Sequence, residues 1–377
     1  MVEVRQVRTR SELRKFVDYP NVLYKDVPQF IPAMFSDDMS DWNPKKNPAF
    51  AYCDAKCWLA WRDGKIVGRI GAILSRRANE KWGFKRMRFT QVDFIDDPEV
   101  SSALFRAVED YAREMGCDAV HGPLGFTDLD REGMLVEGFD RKSMFITYYN
   151  HPYYVEHMRR LGYEKDVDWV EMLVDVPYDD HTVTRLDKLA ERVMKYSNLH
   201  IVQLKSRRDY KPWIEKIFQM VNVAYAGLYG TVPLDDRQIR RYAKKFIPLV
   251  DPNFVCFVAD AHDTLVGFGV SAPSIASALK KSRGRLLPFG FLRLLHALRV
   301  NDTLDLFLVA VTPEYQNKAV NAIMLNHVIK NGCHKLHMTH AETGPQLETN
   351  EKVQHQWNFF KTRQHKRRRC FVKKLDA

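Results

Sequence analysis

No apolar run in this 377-residue sequence approaches the roughly 20 residues that a membrane-spanning helix needs. The N-terminal residues MVEVRQVRTRSEL also lack the apolar core of a signal peptide, because charged residues recur throughout them. From these two absences we expect a cytoplasmic protein. The length suits two domains, and the apolar and charged fractions of 45% and 28% are ordinary for a globular chain.

Cysteine is sparse, and its spacing shows no pairing. The six cysteines include no CxxC pair and lack the density of a disulfide framework, so we expect reduced, mostly buried thiols. Histidines 334, 337 and 340 have a metal-like spacing on paper. On a predicted strand over residues 335–341, however, a spacing of three alternates between faces, and the imidazoles cannot converge. No metal cofactor is expected.

Acidic residues are missing from the basic stretch at residues 361–374, KTRQHKRRRCFVKK, which contributes eight of the lysines and arginines behind a net charge of +11. Such a stretch can bind a polyanion: CoA, nucleic acid or an anionic membrane surface. We favour the alternative that it is the solvated face of a terminal strand, where basic side chains discourage edge pairing. Cys370, Phe371 and Val372 inside it favour a strand.

The first half of the chain reads as an ordered series of strands and helices. Two β-rich runs in residues 57–75 flank Asp63-Gly64, a strong hairpin signal. The apolar patterns then predict a strand (87–95), a helix (99–115), a short strand (119–123), a helix (150–162) and a strand (167–176). Residues 127–145 between them read as a polar, glycine-containing loop.

The second half repeats this order after a boundary at residues 177–180. A second hairpin over 254–271 precedes a strand at 304–311 and a helix at 319–330. The sequence therefore predicts two related α/β domains, residues 1–177 and residues 178–377, produced by duplication. An insertion at residues 274–301 carries RGRLLPFGFLRLLHALRV, which predicts a basic amphipathic helix that lies on a membrane, covers an acyl groove or packs on its own domain.

Residues 304–330, LDLFLVAVTPEYQNKAVNAIMLNHVIK, carry the most specific chemical suggestion. An apolar strand is broken by Thr312-Pro313, and a polar turn leads into an amphipathic helix. The first N–H groups of a helix have no partner within it, so they face back toward the turn. This arrangement predicts an anion-binding site.

The same residues resemble the acyl-CoA-binding motif of the GCN5-related N-acetyltransferase (GNAT) superfamily. There a strand leads into a Gln/Arg-x-x-Gly-x-Gly/Ala turn whose amides hold the CoA pyrophosphate. Here Gln316 matches the first position, and Ala319 and Asn321 replace the two glycine-type positions. The GRLLPFG segment and the KRRR stretch are similar to those of uncharacterised bacterial tandem-GNAT proteins. The resemblance implies an α/β (α+β) fold of two tandem GNAT-like domains, each a mixed, mostly antiparallel sheet flanked by helices.

The resemblance also implies a set of site residues in the second domain. The candidate acyl-CoA-binding residues are Val309, Val311, Gln316, Asn317, Lys318, Ala319, Val320, Asn321 and Asn350. Glu342 and Glu314 are the candidate general bases. Trp357 stands where the superfamily has a proton-donating tyrosine, and indole cannot serve in that role. In the first domain the carboxylates around Asp97 would repel a pyrophosphate, so that domain is predicted to have lost its CoA site.

Two functions from different classes follow. The first is an N-acyltransferase that moves an acetyl or longer acyl group from acyl-CoA to a small-molecule or peptide amine by direct attack. Such chemistry needs positioning and a polarised carbonyl, for which the N–H of Val311 is the candidate donor. The alternative is a non-catalytic GNAT-fold protein that binds nucleic acid or an anionic membrane surface through its basic face.

Overall fold

The computed structural model describes residues 1–376, and its strands form one continuous sheet. The first half supplies β1 (Glu3–Gln6), β2 (Cys53–Arg62), β3 (Lys65–Ser75), β4 (Arg86–Phe94), β5 (Ala119–Gly122), β6 (Met134–Glu137) and β7 (Glu164–Asp175). The second half supplies β8 (Leu199–Ile201), β9 (Val255–Asp260), β10 (Leu265–Pro273), β11 (Thr303–Val311), β12 (His340–Thr343), β13 (Gln346–Leu347) and β14 (Thr362–Lys374).

Helices cover both faces of this sheet. The first half contributes α1 (Arg10–Leu23), α2 (Phe35–Asp41), α3 (Arg76–Trp82), α4 (Pro98–Glu114) and α5 (Tyr153–Arg160). The second half contributes α6 (Asp180–Ser197), α7 (Ile214–Ala224), α8 (Asp236–Phe246), α9 (Ala276–Ser282), α10 (Gly290–Ala297), α11 (Val320–Val328) and α12 (Glu351–His355). Within residues 1–376, none of these helices is long and apolar enough to span a bilayer.

The hairpin predicted around Asp63-Gly64 is confirmed. Both residues adopt positive φ, 50° and 74°, which twists the turn to match its strands. The strands β2 and β3 pair from Cys53 with Ser75 to Arg62 with Lys65. Helix α4 then packs on this hairpin, burying Leu104 and other apolar side chains against β3 and β4.

The two halves exchange strands. The sheet order is β1-β2-β3-β4-β5-β14-β7-β12-β11-β10-β9-β8, so β14 from the end of the chain lies between β5 and β7. In turn β7, from the first half, pairs antiparallel with β12 of the second. The predicted ranges 1–177 and 178–377 therefore do not correspond to two separate sheets, because each range contributes a strand to the other's half.

The basic stretch at residues 361–374 is a central strand, so the expectation of a solvated edge is wrong. Lys366 and Arg368 are 1% and 0% exposed, and both bond to the buried carboxylate of Glu171. Arg369 makes a two-pronged contact with Asp168, at 2.7 and 2.9 Å. The carboxylates of β7 and its neighbours thus neutralise much of this charge inside the protein.

Two other predicted elements differ from the structure. The strand predicted at 335–341 begins only at His340, because residues 334–337 continue the turn that follows α11. His334 and His340 accordingly contact different groups, the Pro177 carbonyl at 2.9 Å and Asp175 at 3.2 Å. Residues 350–360, which resemble the GNAT helix that carries the asparagine and tyrosine, form only the short α12, which ends at His355 before a 3-10 turn.

Candidate functional site

A wedge-shaped opening lies between β11 and β12. The two strands pair in parallel only from Thr303 with His340 to Leu306 with Thr343. The last bond across them runs from the Gly344 N–H to the Leu306 carbonyl, at 2.9 Å. Beyond it the chain turns away to pair β13 with β7, while β11 continues beside β10 alone. The far half of β11 therefore has one unpaired edge.

The backbone of Val309 and Val311 faces this opening. Thr312 donates its N–H to the Val266 carbonyl on the β10 side, at 2.9 Å. Because successive residues of an antiparallel pair alternate in direction, the N–H groups of Val309 and Val311 point the other way. The Tyr225 hydroxyl confirms that side, since it donates to the Val309 carbonyl at 2.9 Å. The predicted carbonyl donor, Val311, is thus directed into the opening.

The turn after β11 has the backbone of an anion cradle. Asn317 and Ala319 have positive φ values of 66° and 55°, and α11 begins at Val320. The amides of Asn317, Ala319, Val320 and Asn321 donate to no carbonyl within residues 1–376. The Gln316 side chain folds back to the Val311 carbonyl at 3.4 Å. Four unused N–H groups in one turn are what a phosphate requires.

The side chains around the turn differ in exposure and in the groups that they contact. The Lys318 ammonium is exposed and lies 4.6 Å from the centre of the Tyr315 ring. Asn350 starts α12 and lines the opening, as does the buried Trp357, whose indole N–H lies 3.3 Å from Gln346 Oε1. The predicted acyl-CoA-binding residues therefore lie around this opening, although their binding roles stay predictions.

A cavity of about 330 Å³ extends from this opening into the protein. Its size lies within the range of about 300–1,000 Å³ that is usual for small-ligand pockets. Most of its wall is apolar, with contributions from Trp169, Ile217, Phe218, Leu308, Met324 and Leu325. The two halves share the wall, because Trp169 belongs to β7 and the others to the second half. Such a cavity suits an acyl chain.

Three carboxylates interrupt this apolar wall, all from the loop between β5 and β6. Asp130 accepts from the amides of Phe126 and Thr127, at 2.9 and 3.2 Å, so it holds the loop together. Asp128 and Glu132 also line the cavity, and Glu132 has no hydrogen bond or ion pair within residues 1–376. Burial, reinforced by the neighbouring Asp128, raises the pKa of Glu132 well above its usual range. Burial likewise raises the pKa of Asp128.

The predicted bases lie elsewhere. Glu314 is exposed on the turn Pro313–Tyr315. Glu342 lies on β12, where its carboxylate bonds to the buried Lys366 ammonium and lies 3.4 Å from His365 Nε2. It is outside the cavity wall, so the structure does not bring it together with the opening.

A buried charge cluster surrounds Glu342. Asp305, its partner across β11 and β12, is 1% exposed, and neither carboxylate oxygen has a hydrogen-bond partner within residues 1–376. Burial and the Glu342 carboxylate raise the pKa of Asp305 well above normal. Burial alone would raise the pKa of Glu171, but Arg368 and Lys366 lower it instead.

Two groups of side chains have ligand atoms close enough for a metal ion: Glu171 with Glu342 and His365, and His121 with Asp166 and Cys370. In the first group the Lys366 ammonium contacts both carboxylates. In the second the Tyr229 hydroxyl donates to Asp166 at 2.5 Å and lies 2.9 Å from His121 Nδ1. In both sets the carboxylates therefore already contact other protein groups.

The equivalent turn in the first half is occupied by its own side chains. Asp97 caps α4 and accepts from the amides of Glu99 and Val100, at 2.8 and 3.4 Å. Arg62 pairs with Asp97 at 2.6 Å and with Glu99 at 2.8 Å. The N–H groups that would face a phosphate are therefore already engaged.

Solved structures with this architecture decide the fold. A tandem GNAT protein from the clavulanic acid biosynthesis pathway superposes with a TM-score of 0.58 at 11% identity, covering 100% of this chain and 99% of that one. A GCN5-related N-acetyltransferase from Sphaerobacter thermophilus gives a TM-score of 0.52 at 9% identity, covering 100% and 96%. The chain has the tandem GNAT fold. The resemblance noted from residues 309–316 is confirmed at this level.

Two curated proteins are similar to this chain in sequence. Protein YghO of Escherichia coli K12 is 27% identical over 380 residues, which span 99% of this chain and 95% of that protein. A bacterial ceramide synthase of Caulobacter vibrioides is 29% identical over 298 residues, which span 78% of this chain and 76% of that protein. No protein-family model matches the chain.

Sequence reasoning missed the carboxylates of the cavity. Residues 127–145 read as a polar loop, where acidic side chains are usually solvated. The available signal was the run Asp128-Leu129-Asp130-Arg131-Glu132, which follows a predicted strand in a GNAT-like order. Tyr225 follows the last residue of α7, and only the fold brings its hydroxyl to β11.

Proposed function

We propose that this tandem GNAT protein transfers a long-chain acyl group from acyl-CoA to the amine of an acceptor that reaches the same cavity. The observation that carries the proposal is the apolar cavity of about 330 Å³, which opens at the gap between β11 and β12 beside a turn with unused amides. A phosphate site and an apolar chamber at one opening match the two ends of an acyl-CoA molecule.

The residues present fit the two ends of this co-substrate. The amides of Asn317, Ala319, Val320 and Asn321 would hold the pyrophosphate, and Lys318 would add a positive charge at its edge. The N–H groups of Val309 and Val311 would bond the pantetheine arm and the thioester carbonyl along the unpaired edge of β11. The apolar wall would take the acyl chain and exclude water from the reacting centre.

Direct attack accounts for the chemistry. The amine nitrogen forms a bond to the thioester carbon, the carbon–sulfur bond breaks, and CoA leaves as its thiolate. The Val311 N–H would stabilise the negative charge that develops on the carbonyl oxygen. An ammonium acceptor must lose one proton before its nitrogen can attack, for which Glu132 is the base we propose in place of Glu342 and Glu314. The nitrogen loses a second proton once the carbon–nitrogen bond has formed, and the leaving CoA thiolate would take it. Burial and the neighbouring Asp128 raise the pKa of Glu132, which makes its carboxylate a stronger base.

The acceptor side of the cavity favours a cationic amine on an apolar body. Asp128 and Glu132 would attract an ammonium group, and the surrounding apolar side chains would cover the rest of the molecule. The relative that is named a bacterial ceramide synthase supports acyl transfer to an amine, because a ceramide is an amide of a long-chain amino alcohol. The particular acceptor and the length of the acyl chain are part of the proposal.

The experiment is a thermal-stability titration of the full chain with acetyl-CoA and with a long-chain acyl-CoA, each at two salt concentrations. A ligand at 100 times its Kd stabilises the folded state by about 2.7 kcal/mol, which is readily measured. We expect saturable stabilisation that is larger for the longer acyl group and persists at high salt. No stabilisation, or one that salt abolishes, would remove acyl-CoA as the co-substrate.

A pair of variants tests which half binds CoA. Gln316→Ala is expected to weaken acyl-CoA binding more than Asp97→Ala does, because only the turn at residue 316 has free amides. Leu308→Trp, which fills the cavity, should raise the Kd of the long-chain ligand more than that of acetyl-CoA. Equal effects of Gln316→Ala and Asp97→Ala would contradict the assignment to the second half.

The basic stretch of β14 does not by itself support the binding alternative. The lysines and arginines of β14 are largely engaged by carboxylates of the first half, including Glu109, Asp168 and Glu171. A basic face for nucleic acid would have to be elsewhere on the protein. Formation of an N-acyl product from acyl-CoA and a long-chain amine, detected by mass spectrometry, would distinguish an enzyme from a binding protein.

A further inference from the structure

The insertion between β10 and β11 exposes an unusual amount of apolar surface. Within residues 1–376, six of the twelve exposed large apolar side chains come from residues 287–300. They are Leu287 (78% exposed), Phe289 (67%), Phe291 (41%), Leu292 (52%), Leu295 (47%) and Val300 (65%). Single exposed apolar residues are ordinary, but a contiguous group of six on one segment marks an interaction surface.

This segment is nevertheless well anchored. Leu294 and Leu298, on the inner side of α10, pack with Ile275, Leu279 and Phe307. The Arg293 guanidinium donates to the Lys281 carbonyl at 2.7 Å, which ties α10 to α9. The exposed side chains therefore form the outer face of a packed unit and are not a sign of poor packing.

The charge around this face has one sign. Residues 274–301 contain six lysines and arginines and no acidic residue. Four of these six, Lys281, Arg283, Arg293 and Arg299, are exposed and pair with no carboxylate within residues 1–376. This differs from β14, where the basic side chains are largely ion-paired. The cations of the insertion remain available to a partner.

We propose that residues 281–300 dock this protein on the surface of an anionic phospholipid bilayer. The exposed leucines and phenylalanines would enter the boundary between headgroups and acyl chains, and the four free cations would contact lipid phosphates. The inference is independent of acyl transfer, since a protein without that activity could dock in the same way.

Charge complementarity favours an anionic bilayer over a second copy of the chain or a nucleic acid as the partner of this surface. A second copy of the chain would bring like-charged faces together, which costs free energy unless anions intervene. Nucleic acid would satisfy the cations but would leave Leu287 and Phe289 in water. An anionic bilayer satisfies both parts of the surface at once.

The exposed apolar surface of the insertion lies close to the cavity. Leu294 and Leu298 share an apolar cluster with Phe246 and Phe307, and the latter two also line the cavity. The outer face of α10 is therefore separated from the cavity by one layer of side chains. Docking there would hold the cavity next to a membrane, where amphiphilic substrates are concentrated.

Vesicle co-sedimentation of the full chain tests the proposal. We expect binding to phosphatidylcholine vesicles that contain roughly one-third phosphatidylglycerol and at least about tenfold weaker binding to phosphatidylcholine alone. Raising salt from about 0.1 M to about 1 M shortens the screening length from about 10 Å to about 3 Å and should weaken binding. No sedimentation with anionic vesicles would overturn the proposal.

Matched variants locate the binding surface. The double variant Leu287→Ser/Phe289→Ser should lose at least about tenfold in vesicle affinity. Val22→Ser/Val223→Ser removes two other exposed apolar side chains, 63% and 62% exposed, and should bind as the parent does. Equal binding by both double variants would show that the membrane contact lies elsewhere.

Oligomeric state and soluble-substrate activity complete the test. Light scattering that shows a dimer lost in Leu287→Ser/Phe289→Ser, without vesicle binding, would assign the surface to a second copy and overturn the proposal. Acetyl-CoA binding in solution should be unchanged in this variant, because neither residue lines the cavity. Loss of vesicle binding with retained acetyl-CoA binding therefore separates this inference from the proposed acyl transfer.

Discussion

Ala319 holds a backbone conformation that glycine adopts at little steric cost. Its φ of 55° lies in the left-handed region, where a Cβ costs roughly 1–2 kcal/mol. Ala319→Gly should therefore stabilise the protein by about 0.5 kcal/mol, after the extra entropy that glycine gives the unfolded chain. It should also tighten CoA binding, because the backbone can approach a phosphate more closely. Urea unfolding and a CoA titration measure the two effects.

Ala322→Gly is the control for this change. Ala322 lies inside α11, so glycine should destabilise by about 1 kcal/mol and leave CoA affinity unchanged in the folded protein. Unchanged CoA affinity in Ala319→Gly, in a protein that binds CoA, would show that the pyrophosphate is held elsewhere.

Glu132 should set the acid limb of the pH–rate profile. Its pKa is raised by burial and by Asp128, so the carboxylate becomes protonated as pH falls through a value well above the usual range. Below that value it cannot accept the acceptor's proton, and kcat/KM should fall. Glu132→Gln should lower kcat by about 10²–10⁴-fold and abolish this limb. Product formation measured across pH provides the test.

The exposed Glu137, at the end of β6, provides the control. Glu137→Gln should leave the rate and the limb unchanged. If Glu132→Gln retains the parent profile, another group takes the proton.

Asp305 should make the protein less stable as pH rises. Its folded pKa lies well above the usual value, while the unfolded carboxyl titrates at about 3.9. Between those values the unfolded chain loses a proton that the folded chain keeps, so stability falls by up to about 1.4 kcal/mol per pH unit. Asp305→Asn cannot ionise, so its stability relative to the parent should be greater at neutral pH than at acid pH. Urea unfolding at acid and at neutral pH measures the stability difference between this variant and the parent. A stability difference that is the same at both pH values would contradict the prediction.

At the scale of single elements, β14 is held by buried ion pairs. Arg368→Met would remove one of the two cations on Glu171 and leave that carboxylate partly unpaired at 0% exposure. We expect a loss of about 3–5 kcal/mol, the usual cost of breaking a buried pair. Lys374→Met, on the exposed end of the same strand, should change stability by less than about 0.5 kcal/mol. Chemical denaturation compares them; similar small effects would mean that Glu171 relaxes or takes up a proton.

Local elements were predictable from the sequence because their signals are local. The hairpin at Asp63-Gly64, the strand up to Val311 and the helices around Leu104 and Ile323 follow from turn residues and apolar periodicity. The placement of β14 was not predictable in this way. Its partners, β5 and β7, lie far away in sequence, and its basic residues look solvated until the carboxylates of β7 are brought beside them.

The same distinction between local signals and long-range placement applies to the candidate site. The cradle at residues 316–321 sits in one continuous stretch, so a motif could indicate it. Glu132 and Tyr225 enter the opening from other elements, and nothing local distinguishes either of them from an ordinary loop carboxylate or helix tyrosine. Glu342 looked suitable as a base, but its strand faces it toward Lys366.

At the scale of the whole molecule, exchange of strands should make the two halves unfold together. The pairs β14 with β5 and β7 with β12 both cross between halves, and α8 adds ion pairs from Arg241 and Lys245 to α2. We expect one calorimetric transition whose van't Hoff and calorimetric enthalpies agree. Residues 1–177 expressed alone should fail to fold, since they lack β14. Two separate transitions, or a folded 1–177 fragment, would contradict this.

The position of β14 also sets an order of events during synthesis. Residues 1–177 leave the ribosome first, yet β5 and β7 have no strand between them until residues 362–374 have been made. Until then two edges of the nascent sheet, along β5 and β7, remain open to incorrect partners. Folding of the first half must therefore wait for the second, and a ribosome stalled between residues 178 and 361 would hold a half-sheet that is prone to aggregate.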